Sequence, residues 1–308
     1  MRDVKFDYFY ASDGAKIEYI DLGGEGQPFV LMHGFGSEAQ RYLPVMRMFE
    51  DKFHVAGFTQ RGFGGRDGIH EGSEDKGELG MKRSAQDLKE FIEHMGFDHI
   101  VMMGYSMGAS VVLSYLDQFG TKYFDKLIIG DITPKLRRDE TWPYGIYQGN
   151  YTDEMYEHDM KLMDDDFIAF NKYYQYQAFL PHTPDEPRDN IYTEKMYQEF
   201  SEMAKGLGVT AEAMLDVPKK AWHVNKAYFK SLYEEDFRAS GTKVDIPSCV
   251  IAAVPGSVFD PRAVEYISAQ MRGSKFYKIM NASHTDPIQT RIPELAADIY
   301  DFLDNADK

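Results

Sequence analysis

The stretch around Ser106 constrains the fold more than any other part of the chain. An apolar run of strand type, residues 100–103, leads into Gly104-Tyr105-Ser106-Met107-Gly108, and a segment of helical pattern follows at residues 111–119. A strand that turns directly into a helix places the intervening serine on a strained backbone and holds its hydroxyl clear of the sheet. Glycines on both sides relieve the crowding that side chains would cause there. The pattern therefore predicts a reactive serine at the end of a strand.

Strand and helix patterns alternate on both sides of this stretch. Short apolar runs at residues 29–32, 54–58, 126–131 and 248–254 are typical of parallel strands buried on both faces. Amphipathic helical patterns separate them, as at residues 84–95. This alternation predicts an α/β fold with a mostly parallel sheet, and with functional residues at the carboxyl ends of the strands.

The alternation is interrupted between residues 135 and 240. The pattern of this segment is largely helical, and it holds eleven of the 21 tyrosines of the chain. Three prolines divide it, at positions 181, 184 and 187. We interpret residues 135–240 as an inserted helical cap, and residues 1–134 and 241–308 as the core. Its aromatic side chains are expected to pack the cap and to wall a substrate pocket.

Composition limits the class of protein. The formal net charge of −16 argues against nucleic acid and anionic membrane surfaces as partners. The single cysteine, Cys249, lies in an apolar run and is interpreted as a core residue. The amino-terminal residues are too charged for a signal peptide, and no run reaches the roughly 18 apolar residues of a membrane helix. We expect a soluble, cytoplasmic protein.

The sequence predicts no metal and no other cofactor. The glycine-rich stretch at residues 59–67 lacks both a Gly-Lys-Ser/Thr sequence and the spacing of a dinucleotide site. Neither a His-Glu-x-x-His run nor a cysteine pair is present. The acidic run at residues 164–166 lacks ligand spacing, and we interpret it as a solvated turn or a helix start.

Four pieces of the sequence together resemble the α/β-hydrolase fold, over nearly the whole chain. They are His33-Gly34-Phe35-Gly36, Gln60-Arg61-Gly62-Phe63-Gly64, the Gly104–Gly108 pentapeptide, and His284, which follows the last predicted strand at residues 275–280. The resemblance implies a mostly parallel sheet flanked by helices, with an inserted helical cap. It also implies that Ser106 is the nucleophile and that His284 is the base that accepts its proton. The backbone N–H groups of Phe35 and Met107 would then form the oxyanion hole, and His33 would fix the loop structure.

The acid that orients His284 is the point at which this chain departs from the family pattern. The family usually places it in the loop after the seventh strand, but counting back from the proline at position 261 puts Ser257 there. Asp260 is close, although a residue directly before such a proline is typical of a helix N-cap. Asp131 ends the strand beside the nucleophile's strand, where other members of the fold supply the acid. We favour Asp131 and keep Asp260 as the alternative.

These residues predict a serine hydrolase that cleaves a carboxylic ester or thioester through an acyl-enzyme. The aromatic cap favours a small-molecule substrate with a moderately sized apolar or aromatic acyl group. A C–C bond hydrolase or a perhydrolase would use the same parts. An alternative of another class is a non-catalytic ligand-binding member of the fold, since the usual acid position holds Ser257.

Overall fold

The computed structural model describes residues 1–65, 69–180, 194–206, 208, 210 and 222–306. Within these residues eight strands form one sheet. The strands are β1 (Lys5–Tyr10), β2 (Lys16–Asp21), β3 (Pro28–Met32), β4 (His54–Phe58), β5 (Ile100–Tyr105), β6 (Phe124–Gly130), β7 (Ser248–Pro255) and β8 (Lys275–Ala282). Their order across the sheet is β1-β2-β4-β3-β5-β6-β7-β8. This arrangement confirms the predicted α/β class.

Ten α-helices and three short 3₁₀ segments occur in the described residues. The helices are α1 (Leu43–Met46), α2 (Met81–Met95), α3 (Met107–Phe119), α4 (Asp153–Asp165), α5 (Phe167–Phe179), α6 (Glu194–Gly206), α7 (Trp222–Glu234), α8 (Pro261–Gln270), α9 (Asp286–Gln289) and α10 (Ile292–Asn305). The 3₁₀ segments are Ala39–Tyr42, Tyr147–Gly149 and Ser240–Lys243.

The sheet is antiparallel at one side and parallel in the rest. β1 pairs with β2, and β2 with β4, in antiparallel register, whereas β3 to β8 pair in parallel. β5 lies between β3 and β6, and all six of its residues are buried, as its apolar sequence predicts for a strand covered on both faces. Parallel strands all end at the same edge, so the residues after β5, β6, β7 and β8 lie near one another.

Helices cover both faces of the sheet. One hydrophobic cluster contains apolar residues of α2, α3 and the helices between β6 and β7, and a second contains those of α1 and α10. Cys249 is fully buried in the second cluster, which confirms that it is a core residue. None of the helices in the described part of the chain is both long enough and apolar enough to span a bilayer.

The chain between β6 and β7 contains α4 to α7, as its helical pattern predicts. Aromatic contacts join these helices to the loop after β3: the Phe35 ring centroid lies 5.2 Å from that of Tyr174 and 6.0 Å from that of Phe229. Also on α7, the Tyr228 hydroxyl donates to the Arg61 carbonyl oxygen. These contacts place α5 and α7 above the carboxyl ends of the strands. The three prolines predicted to divide the segment lie outside the described residues.

Candidate active site

Ser106 occupies the turn that joins β5 to α3. Its backbone has φ 55° and ψ −129°, a left-handed conformation that costs a residue other than glycine about 1–3 kcal/mol. Glycine is required at the two neighbouring positions, because a Cβ atom there would come too close to other backbone atoms. A Cβ on Gly104 would lie 2.6 Å from the Ala109 Cα, and one on Gly108 would lie 2.2 Å from the Met32 carbonyl oxygen. The strained turn is thus specified by the pentapeptide.

Three side chains form a hydrogen-bonded chain at this turn. The Ser106 Oγ lies 2.9 Å from His284 Nε2, and His284 Nδ1 lies 2.6 Å from an oxygen of the Asp131 carboxylate. A carboxylate can only accept, so Nδ1 carries the ring proton of the neutral imidazole and Nε2 is left to accept from the serine hydroxyl. All three residues are buried. The structure therefore brings together the serine, the histidine and the favoured aspartate.

Both carboxylate oxygens of Asp131 take part in hydrogen bonds. The second oxygen accepts the backbone N–H of Ala253 in β7 at 3.0 Å, while the first faces His284. The strand predicted to end at Asp131 is one residue too long, because β6 stops at Gly130 and Asp131 turns out of the sheet with φ 34°. This turn directs the carboxylate toward the strand end where His284 lies.

Asp260 does not share this position. Its carboxylate accepts the backbone N–H of Arg262 at 2.8 Å and also receives the Arg262 guanidinium at 2.6 Å, so it caps the start of α8. The N-cap interpretation of Asp260 is thereby confirmed. The hydrogen bonds of the His284 ring go to Ser106 and Asp131.

Two hydroxyl groups hold the backbone of His284. The Tyr105 hydroxyl donates to the His284 carbonyl oxygen at 2.7 Å, and the His284 N–H donates to the Ser257 Oγ at 3.0 Å. The sequence places Ser257 near the histidine but does not reveal that its partner is the peptide group. Tyr105 lies inside the recognised pentapeptide, which is the only sequence signal that could have drawn attention to it.

Backbone donors line the space beside Ser106. Among the described residues the N–H groups of Phe35 and Met107 have no acceptor, and Met107 is the first residue of α3, where the helix dipole favours negative charge. The N–H of Gly34 is occupied, since it donates to the Tyr42 hydroxyl at 3.0 Å. Phe35 and Met107 both border the cavity beside Ser106, and each carries a backbone N–H without an acceptor among the described residues.

His33 stabilises the loop that carries Phe35. One ring nitrogen lies 2.9 Å from the Gly34 carbonyl oxygen, and the other accepts the Gln60 N–H at 2.9 Å. The Gln60 amide in turn donates to the His33 carbonyl oxygen. The ring is fully buried in these contacts, which confirms the predicted structural role of His33.

A small cavity of about 20 Å³ adjoins Ser106. Nine of its eleven lining residues are apolar, and the other two are Ser106 and Tyr174. The lining residues are Phe35, Ser106, Met107, Ile132, Leu136, Ile146, Tyr174, Phe229, Leu232, Val258 and Phe259. A cavity needs about 10–15 Å³ to hold one water molecule, so this one has room for little more than a single water-sized group. Residues of the chain between β6 and β7 form much of the wall.

Burial keeps the nearby phenols neutral. It raises the pKa of Tyr42 and, together with the negative charge of Asp131, that of Tyr105, so both hydroxyls remain hydrogen-bond donors at ordinary pH. In the described part of the chain no group of histidine, cysteine and acidic side chains is arranged to hold a metal ion. Asp166, in the acidic run, caps α5 by accepting the Ala169 N–H, as a helix start would.

The fold and this strand-end arrangement define a class of protein, the α/β hydrolases. The family model of the alpha/beta hydrolase fold matches residues 27–289, and the chain belongs to that family.

Proteins of known name are similar to this chain at low sequence identity. A protein of Synechocystis sp., provisionally named a non-heme chloroperoxidase, is 26% identical over 240 residues, which cover 76% of this chain and 75% of that protein. The bifunctional esterase/perhydrolase of Acinetobacter calcoaceticus is 25% identical over 142 residues, 45% of this chain and 49% of that protein. The structure of an esterase from Exiguobacterium antarcticum superposes with a TM-score of 0.75 at 19% identity, covering 98% of this chain and all of the esterase.

Proposed function

We propose that the protein is a serine hydrolase that cleaves a carboxylic ester or thioester through an acyl-enzyme. The observation that carries the proposal is the buried hydrogen-bonded chain from Ser106 through His284 to Asp131. In this proposal Ser106 is the nucleophile, His284 the general base and Asp131 the acid that orients it. Membership of the family supports hydrolase chemistry, and the esterases among its relatives support this substrate class.

Each of these residues has a role in the proposed reaction. Ser106 Oγ attacks the substrate carbonyl carbon while its proton passes to His284 Nε2, and Asp131 stabilises the imidazolium that forms. The N–H groups of Phe35 and Met107 bind the carbonyl oxygen as it becomes negative; each such donor contributes about 3 kcal/mol of transition-state stabilisation. The imidazolium returns its proton to the leaving alcohol or thiol. Water then repeats the sequence on the acyl-serine and releases the carboxylic acid.

The cavity suggests the size of the acyl group. The sequence favours a moderately sized acyl group, whereas the cavity of about 20 Å³ beside Ser106 holds little more than one water-sized group, so we propose that the smallest acyl group, acetyl, is preferred. We propose that the chain between β6 and β7 acts as a cap, because its Tyr174 and Phe229 close this cavity. A longer acyl chain would enter only if these side chains moved. The proposed substrate is a small-molecule ester or thioester with a short apolar acyl group, and a cytoplasmic location stays a prediction.

Labelling with a fluorophosphonate probe, with hydrolysis of p-nitrophenyl esters from acetyl to dodecanoyl, tests the proposal. We expect the protein to be labelled, to turn over the acetyl ester fastest, and to lose both reactions in Ser106→Ala. The matched control is Ser110→Ala, because Ser110 is a buried serine in α3 whose Oγ has no hydrogen-bond partner among the described residues. Absence of labelling and of turnover with every ester would contradict the acyl-enzyme and favour the ligand-binding alternative.

Perhydrolysis is a second candidate, and the esterase/perhydrolase among the relatives is the observation that favours it. In that reaction hydrogen peroxide replaces water in the attack on the acyl-serine, and a peroxy acid leaves. Peroxide-dependent bromination of monochlorodimedone in acetate buffer measures it. A signal that disappears in Ser106→Ala would support perhydrolysis, and a signal unchanged in that variant would exclude a Ser106-dependent reaction.

A further inference from the structure

Ser257 lies between a helix of the inserted chain and the backbone of His284. It follows β7 by two residues, in the loop that leads to α8, and it is fully buried. Its hydroxyl donates to the Ala178 carbonyl oxygen in α5 at 3.0 Å and accepts the His284 N–H at 3.0 Å. One oxygen atom therefore joins α5 to the peptide group of the histidine.

The two bonds of Ser257 run in one direction. The His284 N–H donates to the hydroxyl, and the hydroxyl donates onward to Ala178, so each bond polarises and strengthens the other. Tyr105 holds the carbonyl oxygen of the same histidine at 2.7 Å. Both polar groups of the His284 backbone are thus fixed by buried hydroxyls, which leaves the ring to its contacts with Asp131 and Ser106.

The loop that carries Ser257 is itself held by the inserted chain. The side-chain amide of Gln148 donates to the Pro255 carbonyl oxygen at 2.9 Å, and its backbone N–H donates to the Val258 carbonyl oxygen at 3.1 Å. Gln148 adopts a left-handed conformation, with φ 56°, to make these contacts. The Phe259 ring packs edge-on against the His284 ring at a centroid distance of 5.0 Å. The loop is fixed on one side by the inserted chain and touches the histidine on the other.

We propose that Ser257 is a positioning residue that sets the orientation of His284 and couples it to the inserted helix α5. This inference rests on the proposed function, in which the imidazole must reach Ser106 and Asp131 throughout the reaction. Removal of the hydroxyl leaves a buried N–H and a buried carbonyl oxygen without this partner, and the histidine backbone loses one of its two side-chain supports. The ring then spends less time aligned with Ser106, which slows proton transfer.

Steady-state kinetics of Ser257→Ala and Ser257→Thr with p-nitrophenyl acetate test this role, normalised to the sites that a fluorophosphonate titrates. For Ser257→Ala we expect kcat to fall about tenfold, the scale of one lost buried hydrogen bond, and KM to change by less than kcat. Ser257→Thr, which keeps the hydroxyl, should recover most of the loss. The matched control is Ser248→Ala, since Ser248 is a buried serine on β7 whose Oγ has no hydrogen-bond partner among the described residues.

An NMR measurement tests the orientation of the His284 ring independently of turnover. The proton between His284 and Asp131 should give a downfield ¹H NMR resonance, assigned by its loss in His284→Ala. This resonance should shift or broaden in Ser257→Ala and stay in place in Ser248→Ala. An unchanged resonance with unchanged kcat per titrated site would overturn the positioning role, even if Ser257→Ala lowers the melting temperature. A wild-type protein that is neither labelled nor active would instead contradict the proposed function.

Discussion

The turn after β6 and the loop after β7 both reach His284, but they contact different parts of it. Asp131, after β6, places a carboxylate oxygen 2.6 Å from the imidazole Nδ1. Ser257, after β7, places a hydroxyl 3.0 Å from the backbone N–H. Neighbouring parallel strands end at the same edge of the sheet, and this is why two separate segments can serve one histidine.

The negative charge beside the His284 ring and the hydrogen bond to the His284 backbone N–H come from different strand ends. The side chain after β6 carries the negative charge that can stabilise an imidazolium, whereas the buried hydroxyl after β7 carries no charge and satisfies a peptide group. Asp260, the other carboxylate of the second loop, is engaged by Arg262 and the start of α8. The acid position of the family pattern is therefore occupied here by a residue suited to holding the histidine backbone.

The largest expected effect separates the two aspartates. Asp131→Asn keeps the shape of the side chain but removes the charge, and the amide can present its N–H₂ to Nδ1 and so favour the wrong tautomer of His284. We expect kcat to fall by roughly 10³- to 10⁴-fold. Asp260→Asn should leave kcat within about threefold, since its carboxylate contacts Arg262 instead. Ester hydrolysis by the two variants measures the difference, and a greater loss in Asp260→Asn would reverse the assignment.

A second prediction concerns stability at the turn after β6. One Asp131 oxygen accepts the Ala253 N–H, and asparagine can keep that bond while alanine cannot. Asp131→Ala should therefore be less stable than Asp131→Asn by about 1–3 kcal/mol, the cost of a buried unpaired donor. Urea unfolding of both variants measures the free energy of unfolding. Equal stabilities would show that the bond to β7 contributes nothing.

At the loop after β7, Asp260→Ala should affect stability alone. The change removes the N-cap of α8 and the ion pair with Arg262, and we expect a loss of about 1 kcal/mol in the free energy of unfolding. The kcat should not change, because the His284 ring bonds to other residues. A stable Asp260→Ala protein with strongly reduced kcat would contradict the separation of the two strand ends.

The smallest effect is expected at a carboxylate remote from both strand ends. Hydrogen bonds from Arg61 lower the pKa of Asp13 from about 3.8 to about 2. A lowered pKa means that the pair stabilises the fold above about pH 4, and that this contribution is lost as the pH falls from about 4 to about 2. Asp13 is partly exposed, so the contribution is expected to stay below about 1 kcal/mol.

Acid unfolding of the wild-type protein and Asp13→Asn measures the contribution of Asp13. The variant should be less stable at pH 5 and should show a shallower decline between pH 4 and 2. A variant as stable as the wild type at pH 5 would show that the ion pair adds nothing to the stability of the fold.

Structural features that depend on a short stretch of sequence could be predicted, because steric contacts between nearby residues determine them. The turn at Ser106 follows from Gly104 and Gly108, whose hydrogens face backbone atoms. The contact of Asp131 with His284 follows from the order of strands in a parallel sheet, although their catalytic roles stay predictions.

Contacts between distant segments could not be predicted in the same way. Ser257 meets Ala178 and the His284 peptide across 79 and 27 residues, and the Tyr105 hydroxyl reaches the His284 carbonyl oxygen across 179. Nothing in the local pattern of a serine or a tyrosine specifies such a partner. The cavity size was also beyond prediction, because it depends on how α5 and α7 pack over the sheet.

Intact-protein mass spectrometry during turnover of p-nitrophenyl acetate is the most direct test of the central claim. The account predicts that the wild-type protein, quenched in acid within the first turnovers, gains the mass of one acetyl group, and that fragmentation places this group on Ser106. Asp131→Asn should accumulate the same species far more slowly. Ester turnover with the acetyl group on another residue, or with no covalent species in any variant, would contradict the account.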